Sequence, residues 1–114
     1  MPEGLIRSFR KSLHSRAHLG LAIMYPGAGV VERIAPDWDW IWIDGQHGEF
    51  SYPDIIAAVR ACDFRARPAV VRVPGLDAGA IGVALDMGAA GVMVPQVDTP
   101  EQARAAVEAS RFAP

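Results

Sequence analysis

A chain of 114 residues, 51% hydrophobic and 21% charged, has the composition of one globular domain with a real core, which excludes a disordered or low-complexity chain. A net charge of -2 gives no basic field for nucleic acid or an anionic membrane, and no run reaches the ~18 apolar residues of a membrane span. The single cysteine, Cys62, allows neither an internal disulfide nor a thiolate metal site and reads as a small buried filler.

In chain order, Arg7, Arg10, Lys11 and Arg16 give Leu5 to Ser15 the solvated basic face of a leading helix. No apolar signal core precedes Leu19, so the cytoplasm is the expected compartment. From there short apolar runs alternate with Ala-rich helical stretches. Strands are predicted at Leu19–Met24, Trp40–Asp44, Ala69–Val73 and Gly91–Val97. Helices are predicted at Val30–Ala35, Tyr52–Ala61, Ala78–Met87 and Pro100–Ser110. Thr99-Pro100-Glu101-Gln102 reads as a capping box with proline at the first helical position. Ser51 and Asp77 are placed to cap in the same way. Gly88 and Gly91 bracket the end of the third of these helices, where left-handed backbone is expected.

Strands apolar at nearly every position belong to a parallel sheet covered by helices. The alternation gives four β/α units in a single domain, 1–114. Two architectures fit: a doubly wound open sheet and a (β/α)₈ barrel. The pattern alone favours the open sheet, because four units are too few to close a barrel. Pro26-Gly27-Ala28-Gly29 lacks the spacing of a dinucleotide loop.

Both architectures place sites at the carboxyl ends of strands. That rule selects Met24 and Tyr25, then Asp44, Gln46, His47 and Glu49, then Arg72, and finally Pro95, Gln96 and Asp98. Asp44 and His47 lie three residues apart between Gly45 and Gly48. A carboxylate beside an imidazole fixes its tautomer and raises its basicity. A loop that merely caps the next helix fits the spacing equally well. Arg72 interrupts a run of valines in a buried strand, which is costly without an anion. It reads as recognition of an acidic substrate or its enolate, with an ion pair to Asp44 or Asp86 as the other reading. Trp38, Trp40 and Trp42 alternate with Asp39, Ile41 and Ile43 and read as packing on one face, with Trp42 nearest the site. Asp37, Asp54, Asp77 and Asp86 read as caps and turns, and His14 and His18 as structural.

Several blocks then stand in a familiar order: Leu19-Gly20-Leu21, Trp40-Ile41-Trp42-Ile43-Asp44-Gly45-Gln46-His47-Gly48, Val71-Arg72-Val73-Pro74, Leu85-Asp86-Met87-Gly88-Ala89-Ala90-Gly91-Val92-Met93-Val94-Pro95 and Ala109-Ser110-Arg111-Phe112-Ala113-Pro114. Together they cover nearly the whole chain, and the sequence resembles the HpcH/HpaI aldolase family. The resemblance implies an α/β fold that forms the first four β/α units of a (β/α)₈ TIM barrel, with an extra N-terminal helix. It implies a metal-dependent 2-oxo-acid aldolase, cleaving 4-hydroxy-2-oxo acids to pyruvate or a related 2-oxo acid and an aldehyde through a metal-stabilised enolate. In that reading Asp44, His47 and Arg72 are catalytic: Asp44 orients His47 as the base, and Arg72 stabilises the enolate. Arg72, Gln46, Trp42 and Pro95 bind substrate. Many members carry Glu where Gln46 stands; Gln keeps the hydrogen-bonding shape and loses the charge.

The implied cofactor is a divalent metal, Mg²⁺ or Mn²⁺ with Co²⁺ a further candidate. The family's metal-binding Glu and Asp come from the fifth and sixth strands. This chain stops at Pro114, ahead of them, so it is expected to be a truncated barrel in which no residue inherits the ligand role. The expected partners are the 2-oxo acid and aldehyde, and a homo-oligomer or complementary half-barrel, because four strands leave two open edges. Two other classes remain: a non-catalytic half-barrel remnant or interaction module, and a citrate-lyase-type enzyme acting on a CoA ester, against which the Gln-His-Gly loop argues.

Overall fold

In the computed structural model, which describes residues 3–111, ten elements follow one another. They are helix α1 (Glu3–Ser12), strand β1 (Gly20–Ile23), helix α2 (Ala28–Ile34) with a 3₁₀ turn (Ala35–Asp37), β2 (Trp40–Asp44), α3 (Tyr52–Phe64), β3 (Ala69–Arg72), α4 (Ala78–Asp86), β4 (Gly91–Met93) and α5 (Pro100–Ala109). Phe112, Ala113 and Pro114 of the last sequence block lie outside the described residues.

The strands form one parallel sheet in the order β1-β2-β3-β4. That order decides between the two architectures. Right-handed crossovers that always step the same way put every connecting helix on one face. A doubly wound sheet must reverse direction at a switch point, and this sheet does not. The preference of the bare pattern for an open doubly wound sheet is thereby corrected: strand count carried it, and strand order overturns it.

The core lies between sheet and helices. Ile41, Ile43, Ala69 and Val71 alternate onto the helix side and are buried against Val31, Ile55, Val59 and Ile81. Cys62 is buried in the same layer, and desolvation pushes its thiol up to about 12, out of nucleophilic range. The opposite face carries Ala22, Trp40, Trp42, Val70, Arg72 and Met93, none of them fully buried. Helix α1 lies across the amino-terminal part of that face, where Ile6, Phe9 and Leu13 share a trough with Trp40 and Val70.

The helix caps form as their sequences require. Ser51 and Thr99 each close a capping box, with Asp54 and Gln102, and Asp77 accepts from the Gly79 N–H at 2.9 Å. Ser51→Ala is expected to lower stability by about 1 kcal/mol, a fall of about 5 °C in Tm on a thermal scan, because the Asp54 N–H loses its acceptor and the Asp54 carboxylate loses the Ser51 hydroxyl.

Some element ends differ from expectation. The fourth strand stops at Met93 and does not reach Val97, because Pro95 has no N–H to donate and Gln96 turns to φ 58°. Gly88 takes φ 101° as expected, whereas Gly91 is a strand residue. The leading helix ends at Ser12, three residues early, and α3 runs three residues past Ala61.

Candidate functional site

The parallel register sets Asp44 beside Arg72 at the carboxyl ends of β2 and β3. Alternation along each strand turns both side chains, with Trp42, onto the face that bears no connecting helix. Arg72 Nε donates to Asp44 Oδ1 at 3.0 Å and Arg72 Nη2 to Oδ2 at 2.5 Å, a bidentate pair. The Arg72 guanidinium also stands 4.8 Å from the centre of the Trp42 ring.

Asp44 is fully buried and does a second job. Its Oδ1 accepts the backbone N–H of Gln46 at 3.0 Å and of His47 at 3.1 Å. Hydrogen bonding to Arg72, followed by those two amides, outweighs desolvation and holds the carboxyl at about 2. Asp44 is therefore an anion throughout the neutral range, and Arg72 is held in its cationic form by the same contact.

Two glycines let this loop close. A Cβ on Gly45 would stand 2.7 Å from the Arg72 carbonyl, which accepts the Gly45 N–H. A Cβ on Gly48 would overlap the Asp44 carbonyl and come within 3.0 Å of that of Met24. Gly48→Ala is expected to cost about 2 kcal/mol. It should also shift the amide resonances of Gln46 and His47, because backbone cannot give way as a flexible side chain does. Unchanged amide shifts would contradict this packing.

The expectations for individual residues divide here. Asp44, Arg72, Trp42, Gln46 and His47 come together. The expected carboxylate–imidazole pair does not form: both Asp44 oxygens are engaged by Arg72 and by backbone amides. Asp44 positions His47 through the main chain and leaves its ring exposed. The ion-pair reading of Arg72 holds, with Asp44 and not the exposed Asp86. Pro95 is half-buried in the loop two residues past the end of β4, the strand next to β3. Met24 and Tyr25 are exposed, and the Met24 carbonyl accepts the Glu49 N–H at 2.8 Å, which ties the first loop to the second. Asp98 serves the cap of α5, its N–H donating to Gln102 Oε1 at 2.7 Å. Sequence reasoning missed the stacking of Arg72 on Trp42. The signal was present in two same-face positions on neighbouring strands, but only the register revealed it.

Among the described residues no three His, Cys, Asp or Glu side chains gather to hold a metal ion. At the site itself Asp44 is committed to a cation and His47 stands alone, so these residues do not fit the implied divalent metal. No described helix is long and apolar enough to cross a membrane.

Known proteins resemble this chain in sequence and fold. A 4-hydroxy-2-oxovalerate aldolase of Novosphingobium aromaticivorans is 45% identical over 96% of the chain and 43% of its own length. A protein of the same description from Rhodococcus jostii is 36% identical over 96% of the chain and 43% of its length. The crystal structure of a family protein from Burkholderia cenocepacia superposes with a TM-score of 0.83 at 32% identity, covering 92% of this chain and 43% of that one. The chain thus spans less than half the length of the relatives it matches, and its sheet corresponds to four β/α units of their TIM barrel. A sequence profile described as HpcH/HpaI aldolase/citrate lyase matches residues 31–114. With parallel strands in unbroken order, a buried Asp–Arg pair at their carboxyl ends and these likenesses, the chain belongs to the HpcH/HpaI aldolase/citrate lyase family.

Proposed function

We propose that this unit supplies the substrate-anion and proton-transfer side of a carbon–carbon lyase that splits 4-hydroxy-2-oxo acids into pyruvate, or a related 2-oxo acid, and an aldehyde. The Asp44–Arg72 pair carries the reading. Arg72 spends the Nε and one Nη2 donor on Asp44. Its remaining N–H groups at Nη1 and Nη2 are left for a substrate carboxylate or enolate oxygen. A fixed cation at that place stabilises negative charge as the enolate develops. His47, exposed on the loop just beyond, takes the proton of the 4-hydroxyl as the C3–C4 bond breaks, and returns a proton to C3 of the enolate as the aldehyde leaves. Gln46, half-buried beside it, donates and accepts hydrogen bonds without charge, and Pro95, in the loop after β4, is assigned to substrate contact. The names of the similar aldolases support the reaction class.

The test is oxalate binding, followed by titration calorimetry, together with exchange of pyruvate methyl protons, in this chain and in a complete relative. Binding that is lost in Arg72→Met supports the reading, and its absence in both proteins overturns it.

The part of this face beyond α1 and the free edges of β1 and β4 favour covering by a second copy or a complementary half-barrel. Sedimentation should show self-association of the isolated chain at micromolar concentration. A stable, well-folded monomer would contradict this.

A further inference from the structure

Trp42 is the residue at the site whose chemistry the proposed reaction leaves unexplained. Its Nε1–H is buried and has no acceptor. A buried donor without a partner costs free energy, and phenylalanine at the same place would avoid that cost. What an indole offers over a phenyl ring is a stronger π face for a cation. The Trp42 ring presents that face to the Arg72 guanidinium at 4.8 Å.

The guanidinium is thus held on two sides. Asp44 grips the Nε–Nη2 edge, with bonds of 3.0 and 2.5 Å, and the guanidinium carbon sits over the indole ring, 4.8 Å from its centre. The Nη1–Nη2 edge remains. From this we infer that Trp42 is a positioning residue: it holds the Arg72 guanidinium in one plane, so that its remaining edge meets a planar carboxylate in a two-point contact. The inference rests on the proposed role of Arg72 as the anion-binding cation. It assigns Trp42 no contact with substrate. Its action is to reduce the freedom that Arg72 loses when the anion arrives.

The test separates positioning from packing because the two make opposite orderings. Trp42→Phe removes the unsatisfied N–H and keeps a weaker face, while Trp42→Leu removes the face. Oxalate affinity should fall about 3-fold in Trp42→Phe and about 10-fold in Trp42→Leu, following the strength of the π face. Thermal stability of Trp42→Phe should equal or exceed that of the native chain. A residue that only packs would show affinity falling in step with stability, and that result overturns the inference.

The second readout needs no ligand. Ring current from Trp42 should displace the Arg72 Nε–H resonance upfield, and ¹⁵N relaxation at Nε should report a rigid side chain. Both signatures should be lost in Trp42→Leu and largely kept in Trp42→Phe. An Arg72 side chain as rigid in Trp42→Leu as in the native chain overturns the inference, even where oxalate binds. Native protein that shows the rigid Arg72 signature but no oxalate binding instead removes the proposed function and leaves the positioning of the guanidinium established.

Discussion

Arg72→Met is expected to destabilise the chain by about 3 kcal/mol at pH 7, the low end of the range for breaking a buried pair. Asp44 is fully buried, whereas the Arg72 side chain keeps 21% of its surface exposed. Removing the arginine therefore strands the less hydrated partner. Asp44 still has the amides of Gln46 and His47, which keeps the loss from being larger. The pH dependence follows from the carboxyl. An ordinary value of 3.8 depressed to about 2 corresponds to about 2 kcal/mol of stability at 1.36 kcal/mol per unit. A depressed acid contributes fully above its unfolded value and loses that contribution as pH falls through its folded one. The native chain should thus keep this stabilisation above pH 4 and lose it as pH falls toward 2. In Arg72→Met the stranded carboxyl titrates higher and can protonate, so the gap between the two proteins should narrow from pH 7 to pH 3. Urea unfolding at pH 7, 5 and 3 measures this, and a gap that does not change with pH would contradict it. Arg72→Met combined with Asp44→Asn should recover part of the loss, because no buried charge remains.

His47→Ala should behave in the opposite way. The side chain is exposed and no packing depends on it, so stability should stay within about 0.5 kcal/mol of native. Exchange of pyruvate methyl protons and carbon–carbon cleavage should fall by a factor of about 100 or more, the usual contribution of a positioned base. The assay belongs on a complete relative bearing the equivalent substitution as well as on this chain. Oxalate affinity should be almost unchanged, since the anion is assigned to Arg72. An unaltered exchange rate would remove His47 from the proton path. Affinity that falls as far as in Arg72→Met would place the ring on the anion and not on the proton.

The opposite expectations for these two residues show how much of the site was legible in advance. A lone arginine among valines points to a buried anion wherever it stands. Which anion it meets is a question of register: Asp44 and Asp86 were both open by sequence, and the pairing of β2 with β3 sets Asp44 directly opposite. The closeness of Asp44 and His47 in sequence suggested a carboxylate–imidazole pair. Three residues of loop can turn the ring either way, however, and the cation on the neighbouring strand claims the carboxylate first. Trp42 could be assigned to a face by alternation, but its stacking needs two strands at a fixed offset.

By itself the sequence determined the order and type of the elements, because apolar periodicity, the capping boxes at Ser51 and Thr99 and the left-handed turn at Gly88 act over a few residues of local chain. It also marked Arg72 as a residue in need of a partner, since a charged group in an apolar strand announces itself wherever the strand lies. Only the tertiary structure decided that the sheet runs in unbroken order with one face free of connecting helices, where β4 ends, and that Asp44 holds Arg72 and leaves the imidazole of His47 free. Those outcomes depend on which strands become neighbours and at what offset. That is settled by packing between segments some 20 to 28 residues apart in sequence, and no short stretch of chain encodes it.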